Sequence, residues 1–332
     1  MSIVKYYNSS YLSVINGGIS AWQGIRYINE NIFLICGTTN PTPTTGMGII
    51  YSGNISFTDG NIFYLNVPSS TSTSVYGPDY DNGIYNFVGS FNQNNNLNIT
   101  KGFVYTGSLN NQSLNNNLNY YYPSVNNLYN IVFIHSFKNN YLVGNAGNTD
   151  NNDTLSFLYN INNLNECIEI KYPGSSTTTS YGIWYDKISN IYIIVGGYSN
   201  DEICINDIYK NRLPTPIGKN FIVFFDPIKN NFFNWTTLLL PLKDILLSHI
   251  EGISGYKDLN NVFSLSLDII SLNSQRLGYY AVIVPDKENI FRIEQFVNIN
   301  YPEGISTSNS VANNNIVGLS LNNTIAFQAV IE

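Results

Sequence analysis

The chain is poor in charge and in the side chains from which most active sites are built. Asp, Glu, Lys and Arg together make up 11% of its 332 residues, about half the usual share. Basic residues number 15 against 22 acidic ones, a net charge of −7. With no Lys/Arg cluster, this excludes a nucleic-acid-binding face, which needs concentrated positive charge. No apolar run approaches the roughly 20 residues of a membrane span, and no basic amphipathic stretch suits an anionic bilayer. Met1–Tyr7 lacks the charged-then-apolar order of a secretory leader. The expectation is a protein with no membrane or nucleic-acid partner, intracellular or virion-associated.

Cysteine and histidine are equally scarce. Cys36, Cys167 and Cys204 are odd in number, widely spaced and without a Cys-x-x-Cys, so no disulfide framework is expected. Cys36 stands where other repeats carry Val and reads as a small core residue. His135 and His249 have no second His or Cys at ligand spacing. They are read as strand or loop residues, with no metal and no cofactor assigned. Neither a Gly-x-Ser-x-Gly elbow nor a phosphate-binding Gly-rich loop occurs. Asn148–Asp153 lacks the Gly and Glu of an EF-hand and is read as a polar loop.

What is present is aromatic and β-forming. There are 26 Tyr and 18 Phe, and 43% of residues are apolar. Tyr, Phe, Ile and Val suit half-buried pleated surfaces, and the abundant Asn suits hairpin turns. Tyr181–Pro241 shows the pattern best, with four apolar runs separated by short polar turns. A Val-Gly ends its second run at Val195-Gly196, and equivalents occur at Cys36-Gly37, Val88-Gly89, Val143-Gly144, Leu265-Ser266 and Val317-Gly318. Successive spacings are 52, 55, 52, 70 and 52 residues. Gly24-Ile25-Arg26-Tyr27, Gly77-Pro78-Asp79-Tyr80 and Gly182-Ile183-Trp184-Tyr185 recur in phase before the anchor.

This periodicity predicts an all-β protein: a six-bladed β-propeller of four-stranded antiparallel blades, spanning 1–332 as one domain. Tyr11–Ile15 resembles a fourth strand, so residues 1–16 are expected to close the last blade and protect its edge. The 70-residue interval carries an insertion at about 198–220, and Leu242–His249 is read as a short helix.

The fourth repeat resembles a kelch repeat, through Gly196-Gly197, Phe225-Asp226-Pro227, Trp235 and Pro241. The other repeats share only its strand order. In its Asn, Ile and Tyr content the chain resembles proteins of AT-rich genomes, giant viruses of amoebae among them. The kelch resemblance implies a propeller and leaves the activity open, since fold does not settle function.

Two functions are weighed. The first is a non-enzymatic binding or scaffold propeller that recognises a protein or glycan through one loop face. That face would be built from Trp22, Arg26, Tyr76, Asp79, Tyr129, Tyr181, Trp184 and Tyr198 among many Ser, Thr and Asn. Aromatic platforms beside neutral hydrogen-bonding groups suit either ligand. The alternative is a glycan-acting hydrolase or lyase with carboxylates at the central channel, using Asp79 with Asp186 or another acid.

Overall fold

The computed structural model describes residues 2–8, 19–29, 32–39, 46–93, 99–109, 113–114, 120–121, 129–148, 153–163, 167–200, 218–256, 259–286, 291–301, 306–320 and 325–332. Tyr11–Ile15, Asp201, Glu202, Cys204 and most of the 198–220 insertion lie outside them. The described chain is β throughout. After β1 (Val4–Asn8) come β2 (Ile19–Asn29), β3 (Ile32–Thr39), β4 (Gly48–Gly53) and β5 (Gly60–Leu65). Next are β6 (Ser72–Asp81), β7 (Ile84–Asn92), β8 (Thr100–Gly107), β9 (Ser113–Leu114) and β10 (Tyr120–Tyr121). β11 (Ile131–Lys138), β12 (Tyr141–Gly147), β13 (Thr154–Asn160) and β14 (Cys167–Glu169) follow. The fourth repeat gives β15 (Thr177–Asp186), β16 (Ile191–Ser199), β17 (Lys219–Asp226) and β18 (Asn231–Thr236). The chain ends with β19 (Ile245–Gly255), β20 (Phe263–Ser271), β21 (Arg276–Pro285), β22 (Phe291–Asn298), β23 (Ser310–Ala312), β24 (Asn315–Ser320) and β25 (Ile325–Ile331).

Hydrogen bonding corrects the expectation of six separate four-stranded blades. The described strands form five sheets: three of four strands, one of five and one of eight. The eight-stranded sheet arises because β11 pairs in parallel with β8 at Ile131↔Thr100, joining two repeats. The five-stranded sheet arises because β9 adds in parallel to β5. Neither pairing is visible in a count of equal repeats. The arrangement is nonetheless a propeller, since β2, β6, β11, β15, β19 and β23 neighbour one another in a closed cycle around the axis. The expected helix at Leu242–His249 is corrected too: β19 begins at Ile245, and its side chains alternate between buried and half-buried. That period of two overrides the local helix preference of Leu. Among the described residues no helix is long and apolar enough to cross a membrane.

Each second strand is buried on both faces, so Ile191–Val195 reads as a continuous apolar run rather than an alternation. Apolar layers lie between neighbouring sheets, as where Val143 and Leu158 meet Ile183, Ile194 and Phe221. The Val-Gly anchor has a steric cause. A Cβ on Gly196 would sit 1.9 Å from the Thr179 carbonyl oxygen of the adjoining strand. Gly24 has a parallel reason on the innermost strand, where a Cβ would lie 2.3 Å from Tyr76 O. Gly24→Ala should therefore cost about 1–3 kcal/mol by overpacking, read as a lowered urea midpoint. Gly147→Ala, with its nearest atom 3.9 Å away, is the matched control expected to move it little.

The N-terminal segment does pair with the C-terminal one, through residues earlier than Tyr11–Ile15. β1 lies antiparallel to β25, from Val4↔Ile331 to Asn8↔Phe327. Tyr6 packs edge-on against Tyr301 and Phe327 at 5.4 and 5.9 Å, and its hydroxyl donates to Asn300 O at 2.6 Å. Removing residues 1–8 strips that cover and exposes the edge of β25. An expected loss of about 2–3 kcal/mol follows from the partial burial of Val4 and Tyr6, measured by thermal melting, with added self-association from the open edge.

Candidate active site in the central channel

The axis of the propeller is polar, and a backbone irregularity makes it so. In five innermost strands the register with the second strand slips by one residue at the same level. The skipped residues are Gln23, Tyr76, His135, Tyr181 and Glu251. Asn309 takes the equivalent place before β23, its N–H donating to Val317 O while Ser310 pairs with Val317. A bulge leaves one residue out of the ladder and re-aims its side chain. Here the side chains so released all line one cavity of about 30 Å³, room for one or two waters.

Glu251 is the carboxylate of that cavity. Its Oε1 lies 2.6 Å from His249 Nε2, both side chains being about one-sixth exposed. Asp268, the cross-strand partner of His249, lies 3.9 Å from the same nitrogen and is held by Arg276 Nε and Nη2. Burial alone would lower the His249 pKa, but Glu251 and Asp268 outweigh it and the net direction is upward. For Glu251 burial is likewise opposed and outweighed, by His249 and Arg276, so its pKa moves down. Burial raises Asp268 against the pull of Arg276 and His249. The result is an ion-paired carboxylate and imidazole, with two carboxyl groups driven in opposite directions.

The remaining wall is aromatic. His135 stacks on Tyr76 at 5.5 Å and meets Tyr181 edge-on at 4.8 Å, and Tyr181 lies 5.1 Å from His249. Burial lowers the His135 pKa to about 4, so this ring is neutral at pH 7. Burial also raises both phenols, Tyr181 far more than its hydrogen bond to Thr179 lowers it. They remain protonated donors.

Three residues beyond the bulge, on β2, β6, β11 and β15, lie Arg26, Asp79, Lys138 and Trp184. Lys138 Nζ bonds Asp79 Oδ1 at 2.6 Å, and it sits 5.2 Å from the Trp184 ring centroid. Arg26 lies over the same ring at 5.7 Å. From β2 it reaches across the axis to Ser136 Oγ, Ile183 O and Ile253 O on three other innermost strands. A guanidinium, not an apolar plug, closes this level of the channel.

The residues singled out in the sequence thus divide. Arg26, Tyr76 and Tyr181 line the cavity, and Asp79 and Trp184 form the level beside it. Trp22 is fully buried, stacked on Phe57 between the first and last sheets. Tyr129 packs against a cluster containing Val88 and Phe157. Tyr198 stacks on Tyr172 at 3.6 Å and bonds Thr237, away from the axis. Asp186 caps the β15–β16 turn, accepting from the N–H groups of Ile188 and Ser189. Cys36 is buried as expected, whereas Cys167 is exposed.

His135 and His249, read from sequence as bland, belong to the channel cluster, and Glu251, Asp268 and Arg276 were missed. A signal was available for Glu251. Glu251-Gly252-Ile253 repeats the x-Gly-Ile pattern of Gln23-Gly24-Ile25 and Tyr181-Gly182-Ile183. The residue before each recurring Gly is the one the bulge turns inward.

No family model matches the chain, and no curated protein matches its sequence, so the kelch resemblance stays confined to the fourth repeat. Solved structures do match the fold. A luciferin-regenerating enzyme shares 10% identity at a TM-score of 0.53, over 100% of this chain and 95% of that one. A GH43 β-1,3-galactosidase bound to galactodeoxynojirimycin shares 12% at 0.51, over 90% and 99%. Trypanosoma rangeli sialidase with 2,3-difluorosialic acid shares 8% at 0.52, over 98% of this chain and 56% of that one. These likenesses establish the propeller architecture. Each of these three structures is named for an enzyme, against the expectation of a non-enzymatic module.

Proposed function

We propose that the protein is a glycan-acting hydrolase whose reaction takes place at the central channel. The observation that carries this reading is Glu251, a carboxylate ion-paired to His249 and facing a water-sized cavity. Two of the similar structures, a galactosidase and a sialidase, are named for action on sugars, and this supports the same class.

Glycosidic hydrolysis requires an ionised carboxylate beside the sugar and proton donation to the leaving oxygen. Glu251 meets the first requirement, because His249, anchored by Asp268, holds it ionised. In that state it acts as the base towards a water at the mouth of the cavity, beside the sugar. Tyr76 and Tyr181 present protonated phenols on the same wall. As the glycosidic bond breaks, one of them passes its proton to the departing oxygen while Glu251 takes one from the attacking water, and the proton returns from Glu251 to the phenolate after the product leaves. Asp79, assigned from sequence as a reacting carboxylate, is committed to Lys138 and fits an electrostatic role better than a proton-transfer one.

A panel of neutral and acidic oligosaccharides, assayed for new reducing ends, tests the reading. Cleavage of at least one member by the native chain, and its loss in Glu251→Gln, is the expected outcome. Equal cleavage by both proteins would remove Glu251 from the reaction.

A further inference from the structure

Among the described residues, the level of the channel beside the cavity has one positive charge more than its carboxylates balance. Arg26 is only 6% exposed, yet among the described residues no carboxylate lies within hydrogen-bonding distance of its guanidinium. Its three bonds go to Ile253 O, Ser136 Oγ and Ile183 O, at 3.4, 3.3 and 3.4 Å, longer than the usual range for such bonds. Nε–H has no acceptor at all among the described residues. Asp79 is near enough to raise the Arg26 pKa against the burial that lowers it, but its Oδ1 is bonded to Lys138 at 2.6 Å. Arg26 and Lys138 therefore share a single carboxylate. Glu251, the carboxylate on the cavity wall, is balanced by His249. The Trp184 face relieves the two cations only in part.

A buried guanidinium lacking a full counter-charge and with an open donor is an anion site waiting to be filled. Arg26 is itself a wall of the cavity, whose volume of about 30 Å³ admits a carboxylate group but not a sugar ring. Gln23 and Asn309 add neutral amides at the rim.

We infer that Arg26 forms a subsite for the carboxylate of an acidic sugar. The ring stays at the mouth beside Tyr76 and Tyr181 while the carboxylate enters. This deepens the glycan-acting reading and rests on it, for it names the substrate class as uronate-type glycans rather than neutral ones.

The test uses the full chain and three probes in calorimetric titration: glucuronate, glucose as the neutral isostere, and formate as the bare carboxylate. Glucuronate should bind about tenfold or more tightly than glucose, as a site built around a charged hydrogen bond demands, and formate should compete with it. Arg26→Gln should abolish the preference. Because that variant removes a buried residue, Asp79→Asn provides an independent arm of opposite sign. It frees both cations from their shared carboxylate, so glucuronate should bind several-fold more tightly, a gain that structural damage would not produce.

Equal binding of glucuronate and glucose, or weaker binding in Asp79→Asn, overturns the inference. Binding of formate with exclusion of glucuronate also overturns it, since the site would then take only small free anions. Glucuronate binding without cleavage of any glycan would leave the subsite standing and sink the hydrolase. Cleavage of neutral glycans with no affinity for glucuronate would do the reverse.

Discussion

Glu251→Gln should lower kcat on a cleaved oligosaccharide by about 10²–10⁴, the range that a positioned acid–base group contributes, with KM nearly unchanged. The substitution keeps the size of the side chain and one hydrogen-bonding oxygen for His249, but removes the charge that activates water. His249 then loses the chief partner that raises its pKa and reverts towards a neutral imidazole, so the fold keeps a satisfied pair of neutral groups. A structural role predicts something else: a fall in melting temperature that tracks the loss of activity. Calorimetric binding of glucuronate to Glu251→Gln separates the two, because a folded channel with an intact Arg26 still binds it. Native-like turnover by this variant would end the assignment.

The sequence displayed the propeller's period plainly, since the Val-Gly anchor records a close approach that only Gly tolerates. At Gly196 the opposing carbonyl leaves no space for a Cβ, and a steric rule of that kind is written into every repeat that obeys it. The turns were equally legible: Asn82 and Gly83 adopt positive φ of 49° and 87°, and Asn139 and Asn140 of 46° and 70°, where Asn and Gly are least strained. Sheet membership was not legible. The join at Ile131↔Thr100 is a single parallel bridge between repeats, and no recurring residue marks it.

The site was half legible for a related reason. Arg26, Asp79 and Trp184 share a phase, and the structure gathers them at one level. The level lined by Glu251 and His135 lies at the bulges, where the side chain leaves the alternating pattern and strand periodicity misassigns its direction. Asp268 is further hidden, because it reaches the cluster only as the cross-strand neighbour of His249. Five residue types (Gln, Tyr, His, Glu and Asn) share the six equivalent positions, so similarity between repeats is weak there. In a ring of like sheets, the positions that differ most are the ones facing the axis, where each strand meets the others only once.

His135 should make the protein sensitive to mild acid. Burial lowers its pKa from 6.5 to about 4, with Glu251 pulling the value up and His249 pushing it down, while the rings of Tyr76, Phe133 and Tyr181 surround it. A depressed histidine binds its proton more readily in the unfolded chain. Its contribution is therefore intact above pH 6.5 and drains away as pH falls towards 4. The slope is at most about 1.4 kcal/mol per pH unit, and roughly 2–3 kcal/mol in all once the partial exposure of the ring is allowed for. The neighbouring pair has two other limbs. His249, raised, contributes below pH 6.5 and loses that contribution as pH rises through its folded value; Glu251, lowered, contributes above 4.5 and loses it as pH falls. Replacing His135 with Gln removes only the first effect. Urea denaturation from pH 7 to 4 should show native stability falling across the interval, and His135→Gln holding nearly level until the carboxylates titrate. Parallel acid limbs in the two proteins would mean that this ring is already solvated in the folded state, and that the channel wall is wetter than its packing implies.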